Sequence, residues 1–215
     1  MTRGNMKTTR LEPSAMDIAT VQMLRKLGLL VMLAVLGVLF LFGTSRWPSP
    51  AEDAIEWVGM ALIFTCVCGR TWCSLYIGGR KISELVTVGP YSISRNPLYL
   101  FSIIGAVGVG AQLGSVAVAA LAGIFAWTVH LMVVLQEERL LSVEHGDAYR
   151  AYLATVPRFL PRLALWRDVE MLQVTPRVVR RTFLDACLFL AAIPVAEALD
   201  VLHSFGWLRV IFRLP

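Results

Sequence analysis

Charge is scarce in this sequence. Only 16% of the 215 residues are Asp, Glu, Lys or Arg, where soluble domains average about a quarter. Long polar stretches are scarce too: 57% of the chain is hydrophobic and the mean hydropathy is +0.66. These shortages exclude an ordinary soluble domain and leave no room for a separate one beside the apolar runs. Cysteine is limited to Cys66, Cys68, Cys73 and Cys187, with no CxxC pair, and His130, His145 and His203 are scattered. That spacing builds no zinc-type ligand set, so no metal site is expected and the cysteines read as small buried hydrophobes. Basic residues interleaved with aromatics are missing. The net charge of +5 and pI of about 9.3 therefore point away from nucleic acid and toward orientation in a bilayer with anionic headgroups. There is no internal repeat or low-complexity segment. No cleavable leader is expected, because residues 1–26 are polar and mixed in charge and the first apolar run starts near Leu27.

What the chain has instead is apolar runs. Spans are expected at about 27–44, 54–76, 98–112, 115–135 and 182–202. The fold class is all-α: a polytopic membrane helical bundle of about five transmembrane helices. Four regions follow: a cytoplasmic N-terminal segment, 1–26; helices one and two within 27–77; a core, 78–161; and a basic connector with the last helix or hairpin and an interfacial tail, 162–215. Arg70, Trp72 and Tyr76 near the end of the second span suit an interface. Pro194 is expected to kink or split the last span, and the tail "SFGWLRVIFRLP" to lie flat in the interface. Gly105, Gly108 and Gly110 are expected to let the third span pack closely, and Gly78-Gly79 to be a loop hinge. Basic residues cluster before the first span (Arg3, Lys7, Arg10, Arg25, Lys26), between the second and third (Arg80, Lys81, Arg95) and after the fourth (from Arg139 onward). Five spans put every cluster on the cytoplasmic side, with the N-terminus inside and the C-terminus outside.

One stretch breaks the apolar pattern. "GPYSISRNPLYL", residues 89–100, holds two prolines, a glycine, an arginine and an asparagine at the mouth of a span. Pro97 suits the first turn of a helix, Asn96 can cap it through its side chain, and Gly89-Pro90 marks a turn. Forty residues separate Pro97 from Glu137, two crossings at ~20 residues each. The hairpin therefore returns Glu137 and Glu138 to the face that carries Arg95 and Asn96. Two carboxylates at a membrane boundary are a functional candidate; the alternative is a solvated helix end, with either glutamate paired to Arg139 or Arg95.

"LVTVGPYSISRNPLYL" followed by "QEERLLSVEHGDAYRAYLATVPRFLP" resembles the isoprenylcysteine carboxyl methyltransferase and phospholipid methyltransferase superfamily of integral membrane enzymes. The resemblance covers about residues 83–161. It implies a methyltransferase with S-adenosylmethionine as donor, a cofactor site at the cytoplasmic face and an acceptor that enters from the bilayer; the expected location is a bacterial inner membrane. Carried over by position, Glu84, Leu85, Val86, Tyr91, Asn96, Pro97, Leu98, Tyr99 and Glu137 are the implied cofactor-binding residues, and Arg95, Asn96, Glu137 and Glu138 the implied catalytic ones. Tyr149, Tyr152 and Arg158 match the trailing segment, in a packing, headgroup or cofactor role. The expected partners are the bilayer and a lipid or lipophilic small-molecule acceptor, with no nucleic acid.

The residue chemistry suits such a cofactor. Glu137 can accept charge-assisted hydrogen bonds from a ribose diol or an ammonium, and Arg95 can hold a carboxylate or pair with a glutamate. Three departures from the family pattern stand out. Its histidine is Asn96 here, which hydrogen-bonds but does not titrate. The arginine that prenylcysteine enzymes carry one turn before the glutamate pair is Val133 here, which argues against that substrate. The usual Phe is His145, either solvent-facing or a local base. His130, within the fourth span, is read as hydrogen-bonded packing, with a substrate-proton role as the alternative. Other acceptors stay open, a phospholipid amine or a small thiol. So do a sterol-type reductase using a nicotinamide cofactor and a non-catalytic membrane interaction module.

Overall fold

A computed structural model of the chain describes residues 15–78 and 84–215. The expected hinge at Gly79 and the basic residues Arg3, Lys7, Arg10, Arg80 and Lys81 lie outside the described residues. The helices are α1 (Ala15–Phe42), α2 (Ser49–Ile77), the single turn α3 (Pro90–Ile93), α4 (Pro97–Ala111), α5 (Val116–Thr155), α6 (Pro176–Cys187) and α7 (Ala192–Ser204); the strands are β1 (Gly43–Ser45) and β2 (Phe212–Leu214). The all-α class holds. Three helical runs are long and apolar enough to cross a membrane: Ser49–Ile77, Val116–Thr155 and Pro176–Ser204. Two shorter apolar helical segments, Leu30–Phe42 and Pro97–Ala111, stand where the first and third spans were expected. Fifteen residues of α4 rise only ~22 Å, short of a hydrocarbon core of about 30 Å. Because α1 begins at Ala15, the expected boundary at residue 26 falls inside a helix.

Helix starts follow local chemistry. Proline stands in the first turn of α2, α4 and α6, where a missing N–H costs nothing. Ser115 caps α5 by accepting from the Val118 N–H at 3.3 Å. Pro157, just beyond the Val156 C-cap, keeps α5 from continuing.

The exterior differs from that of a water-soluble protein. Large apolar side chains such as Leu30, Leu33, Phe64 and Ile124 face outward, while Cys66, Cys73, Ser74 and Ser102 are buried. Lipid solvates the outside, and close helix approach holds the inside. The approach is tightest between α2 and α4. A Cβ added to Gly108 would lie 2.7 Å from the Gly59 carbonyl oxygen and 2.9 Å from Ile63 Cγ1. α4 packs against α2 and α5, and Phe159 from the chain beyond α5 closes the α4–α5 seam with Ile103, Ala106, Ala126 and Val134.

The C-terminal run is split beside Pro194, as expected. Pro194 lies in the first turn of α7, and the break comes upstream as a 3-10 turn at Leu188–Ala191. Pro194 has no N–H for the Leu190 carbonyl, and its ring crowds that residue, so the preceding turn tightens. The tail ends in a strand. β2 pairs in parallel with β1 in the register Gly43↔Phe212, Thr44↔Arg213 and Ser45↔Leu214. The Pro215 carbonyl accepts from Ser115 Oγ at 2.6 Å and from the Ala117 N–H at 3.1 Å. Backbone groups left over at the end of α1 and at the α4–α5 turn recruit the tail, because each needs a partner.

Candidate functional site

The polar turn lies at the end of the bundle opposite β1 and β2. Its buried backbone is stitched to the segment that follows α5. Gly89 N–H donates to the Arg167 carbonyl at 2.7 Å, Arg95 N–H to the Pro157 carbonyl at 2.9 Å, and Arg162 N–H to the Ile93 carbonyl at 2.9 Å. Ser94 Oγ donates to the Phe159 carbonyl at 2.9 Å, and Ser92 Oγ accepts from the Arg167 N–H at 3.0 Å. Residues 157–167 thus form a strap across the turn, and the two halves of the motif are structural partners. Asn96 stands at the N-cap of α4 but makes no capping bond with its side chain. Its Nδ2 donates instead to the Arg158 carbonyl at 3.2 Å. That strap carbonyl needs a donor, while Pro97 has already removed one orphan N–H from the helix start.

Adjacent residues on a helix point about 100° apart, so Glu137 and Glu138 diverge. Glu138 meets Arg158 through two parallel contacts, Nε–Oε1 at 3.0 Å and Nη2–Oε2 at 2.8 Å, and meets Arg95 Nη1 at 3.1 Å. It clamps turn, strap and α5 together. The hydrogen bond to Glu138 raises the pKa of Arg158 above its usual value. Glu137 accepts from Tyr99 Oη at 2.7 Å.

Between these groups lies a pocket of about 770 Å³ of empty volume, its open mouth included. Glu84, Leu85 and Val86 line one side; Tyr91, Arg95, Asn96, Leu98 and Tyr99 come from the turn and α4; Glu137 and Glu138 come from α5. Pro97 is buried at the start of α4 and does not line the pocket. The remaining lining residues are Ile77, Leu141, Tyr149 and Tyr152. Leu141 carries a readable signal, since it stands four residues after Glu137 on the same helix face. Ile77 carries none. Tyr149 and Tyr152 arrive because α5 breaks at Gly146, where φ is 52° and ψ is −122°, a backbone region reserved for glycine. The break folds the last helical stretch over the turn, where Tyr152 Oη donates to the Tyr91 carbonyl at 2.6 Å.

Two lining groups are buried donors with no partner among the described residues, Tyr91 Oη and Arg95 Nε. Burial, then the neighbouring Cys73, Tyr152, Tyr99 and Glu137, pushes the Tyr91 pKa well above its usual value, so the hydroxyl stays a neutral donor.

Arg70 does not reach for the interface. Its guanidinium turns inward from α2 to bond Ser102 Oγ on α4. His130 Nδ1 meets the Ala126 carbonyl at 2.7 Å, and its ring lies 5.2 Å from that of Tyr99.

The profile of the phospholipid methyltransferase family matches residues 57–148, from α2 through the turn and hairpin to the glutamate pair. The cobalt-zinc-cadmium resistance protein CzcN of Cupriavidus metallidurans is 36% identical over 175 residues, covering 81% of each chain. The chain belongs to the isoprenylcysteine and phospholipid methyltransferase superfamily. This methyltransferase-family protein is also 34% identical to the nickel-cobalt-cadmium resistance protein NccN of Alcaligenes xylosoxydans xylosoxydans, over 186 residues, 86% of this chain and 87% of the relative. No solved structure matches it. Members of the superfamily are integral membrane proteins and generally use S-adenosylmethionine.

Proposed function

We propose that this protein binds S-adenosylmethionine in the pocket between the turn and α5 and methylates a lipophilic or amphiphilic acceptor that enters from the bilayer. One observation carries the reading. The pocket gathers the motif residues at the end of the membrane helices and offers the cofactor's polar groups two buried, unused donors, Tyr91 Oη and Arg95 Nε. Those residues fit the group. Arg95 holds the carboxylate, Glu137 takes the ribose diol or the ammonium, and Leu85, Val86 and Leu141 supply apolar wall. When bound, the cofactor supplies an electrophilic methyl on a sulfonium. The chain contributes alignment and exclusion of water, which suffice for an in-line displacement. Asn96 orients by hydrogen bonding and moves no proton. Glu138, committed to two arginines, keeps the walls in place. Membership of the superfamily supports the reaction class. The resistance role in both relatives' names is proposed as a shared setting, with a membrane component as the methylated product.

The test is calorimetric titration of detergent-purified protein with S-adenosylhomocysteine, beside Glu137→Gln and Asn96→Ala, followed by a labelled-methyl screen of carboxylate, amine and thiol amphiphiles. Micromolar binding, weakened in both variants, is expected. A folded wild type that takes up no S-adenosylhomocysteine at millimolar concentration sinks the proposal.

A further inference from the structure

A second polar layer lies beneath the pocket. On α2, Arg70 stands seven residues, two turns, inside Ile77, which lines the pocket. On α4, Ser102 follows the lining residue Tyr99 by one turn, and on α5 His130 precedes Glu137 by two. These spacings return each side chain to the face of the lining residue above it, ~5–10 Å deeper along the helix. Three helices thus place Arg70, Ser102 and His130 under one site. Tyr99 joins the layers, with its ring on His130 and its hydroxyl on Glu137.

The layer lacks a negative charge. Among the described residues Arg70 bonds only Ser102, its Nε is buried without a partner, and no carboxylate pairs with it. Its charge acts on Cys66, Cys73 and His130, and His130 also feels the Glu137 carboxylate of the layer above. Ser102 is neutral, and its own proton goes to the Leu98 carbonyl at 2.9 Å. Because the Ala126 carbonyl can only accept, His130 donates through Nδ1, and Nε2 holds the lone pair. An arginine in a membrane span with no counter-charge is costly, and such residues mark ligand paths. A planar guanidinium with open donors matches an oxyanion in two-point geometry.

We propose that Arg70, seated on Ser102 and flanked by His130, is the acceptor subsite: it binds the anionic headgroup, carboxylate or phosphate, of a membrane amphiphile and holds that molecule beneath the cofactor pocket. The proposal rests on the methyltransferase reading for the purpose of the subsite, but the binding is measurable by itself.

The experiment titrates full-length protein in neutral detergent with oleate, methyl oleate, phosphatidylglycerol and phosphatidylcholine, and separately with S-adenosylhomocysteine. Wild type, Arg70→Gln and Arg180→Gln, an exposed arginine of α6, are compared. Wild type should prefer an anionic amphiphile over its neutral or zwitterionic counterpart by about tenfold or more, as one charge-assisted pair allows. Arg70→Gln should abolish that preference and Arg180→Gln retain it. Preference for oleate identifies a carboxylate, and preference for phosphatidylglycerol a phosphate. Equal binding of charged and uncharged amphiphiles by wild type, or a preference that survives in Arg70→Gln, overturns the proposal. Should Arg70→Gln not fold, Arg70→Lys decides: the retained charge must keep a preference for the anionic amphiphile, and its complete loss overturns the proposal. Loss of S-adenosylhomocysteine binding in wild type counts against the methyltransferase reading alone, since the amphiphile arms are read without it.

Discussion

Glu137 and Glu138 are neighbours in sequence with separate work. Glu138 is 13% exposed and faces Arg95, at 11%, and Arg158. Removing its charge leaves two cations without their counterion, so Glu138→Gln should lower unfolding stability by about 3 kcal/mol, read by denaturant melts in detergent. Glu137→Gln keeps an acceptor for Tyr99, so the melting temperature should barely move while S-adenosylhomocysteine affinity falls about tenfold with one charge-assisted bond. Tyr91 makes the reverse trade. Its hydroxyl is buried and unpartnered, so Tyr91→Phe should raise stability by about 1 kcal/mol while weakening cofactor binding. Because its folded pKa is raised, the unfolded chain loses this proton first. Tyr91 therefore adds no pH dependence below about pH 10 and lowers stability as pH rises beyond it. The stability gap between wild type and Tyr91→Phe should be constant below about pH 10 and widen only at the alkaline end.

At the scale of elements, the glycine break in α5 decides whether the pocket has a wall. Nothing lies within 4 Å of a Cβ built on Gly146, so Gly146→Ala tests backbone conformation alone. The expected cost is about 1–3 kcal/mol. Because Tyr149 and Tyr152 reach the pocket through this break, cofactor affinity should fall as well, measured by the same titration. A straight α5 would carry both tyrosines away from the turn. The strap behaves likewise: Phe159 holds the hairpin from below, and the backbone of 157–167 satisfies the turn from above.

For the whole molecule, the two ends of the bundle differ in kind. The site end gathers the turn, the strap and the start of α6 with Arg177, Arg180 and Arg181; the far end is closed by β1, β2 and the α4–α5 turn. Basic residues favour the cytoplasmic side, so the pocket is expected there and β2 on the opposite face. An alkaline phosphatase fused after Pro215 should be active in intact cells, and a fluorescent protein at the same position dark. The opposite pattern would reverse the orientation and take the pocket away from a cytoplasmic cofactor supply.

The all-α membrane class was legible in composition, because an apolar chain in lipid must satisfy its backbone within helices. Most of the pocket was legible too: the turn and the glutamate pair are short motifs, and hairpin length brings them to one face. Other features depended on neighbours distant in sequence. Asn96 reads as a cap until the Arg158 carbonyl is beside it, and Arg70 reads as an interfacial anchor until Ser102 is opposite. The tail gives no local sign of its strand partner at the end of α1, and Ile77 has no local mark at all. Helix type and motif spacing are set by near neighbours along the chain, so the sequence alone determined them. Hydrogen-bond partners and the direction a charge turns depend on which helices meet, and only the tertiary structure decided those.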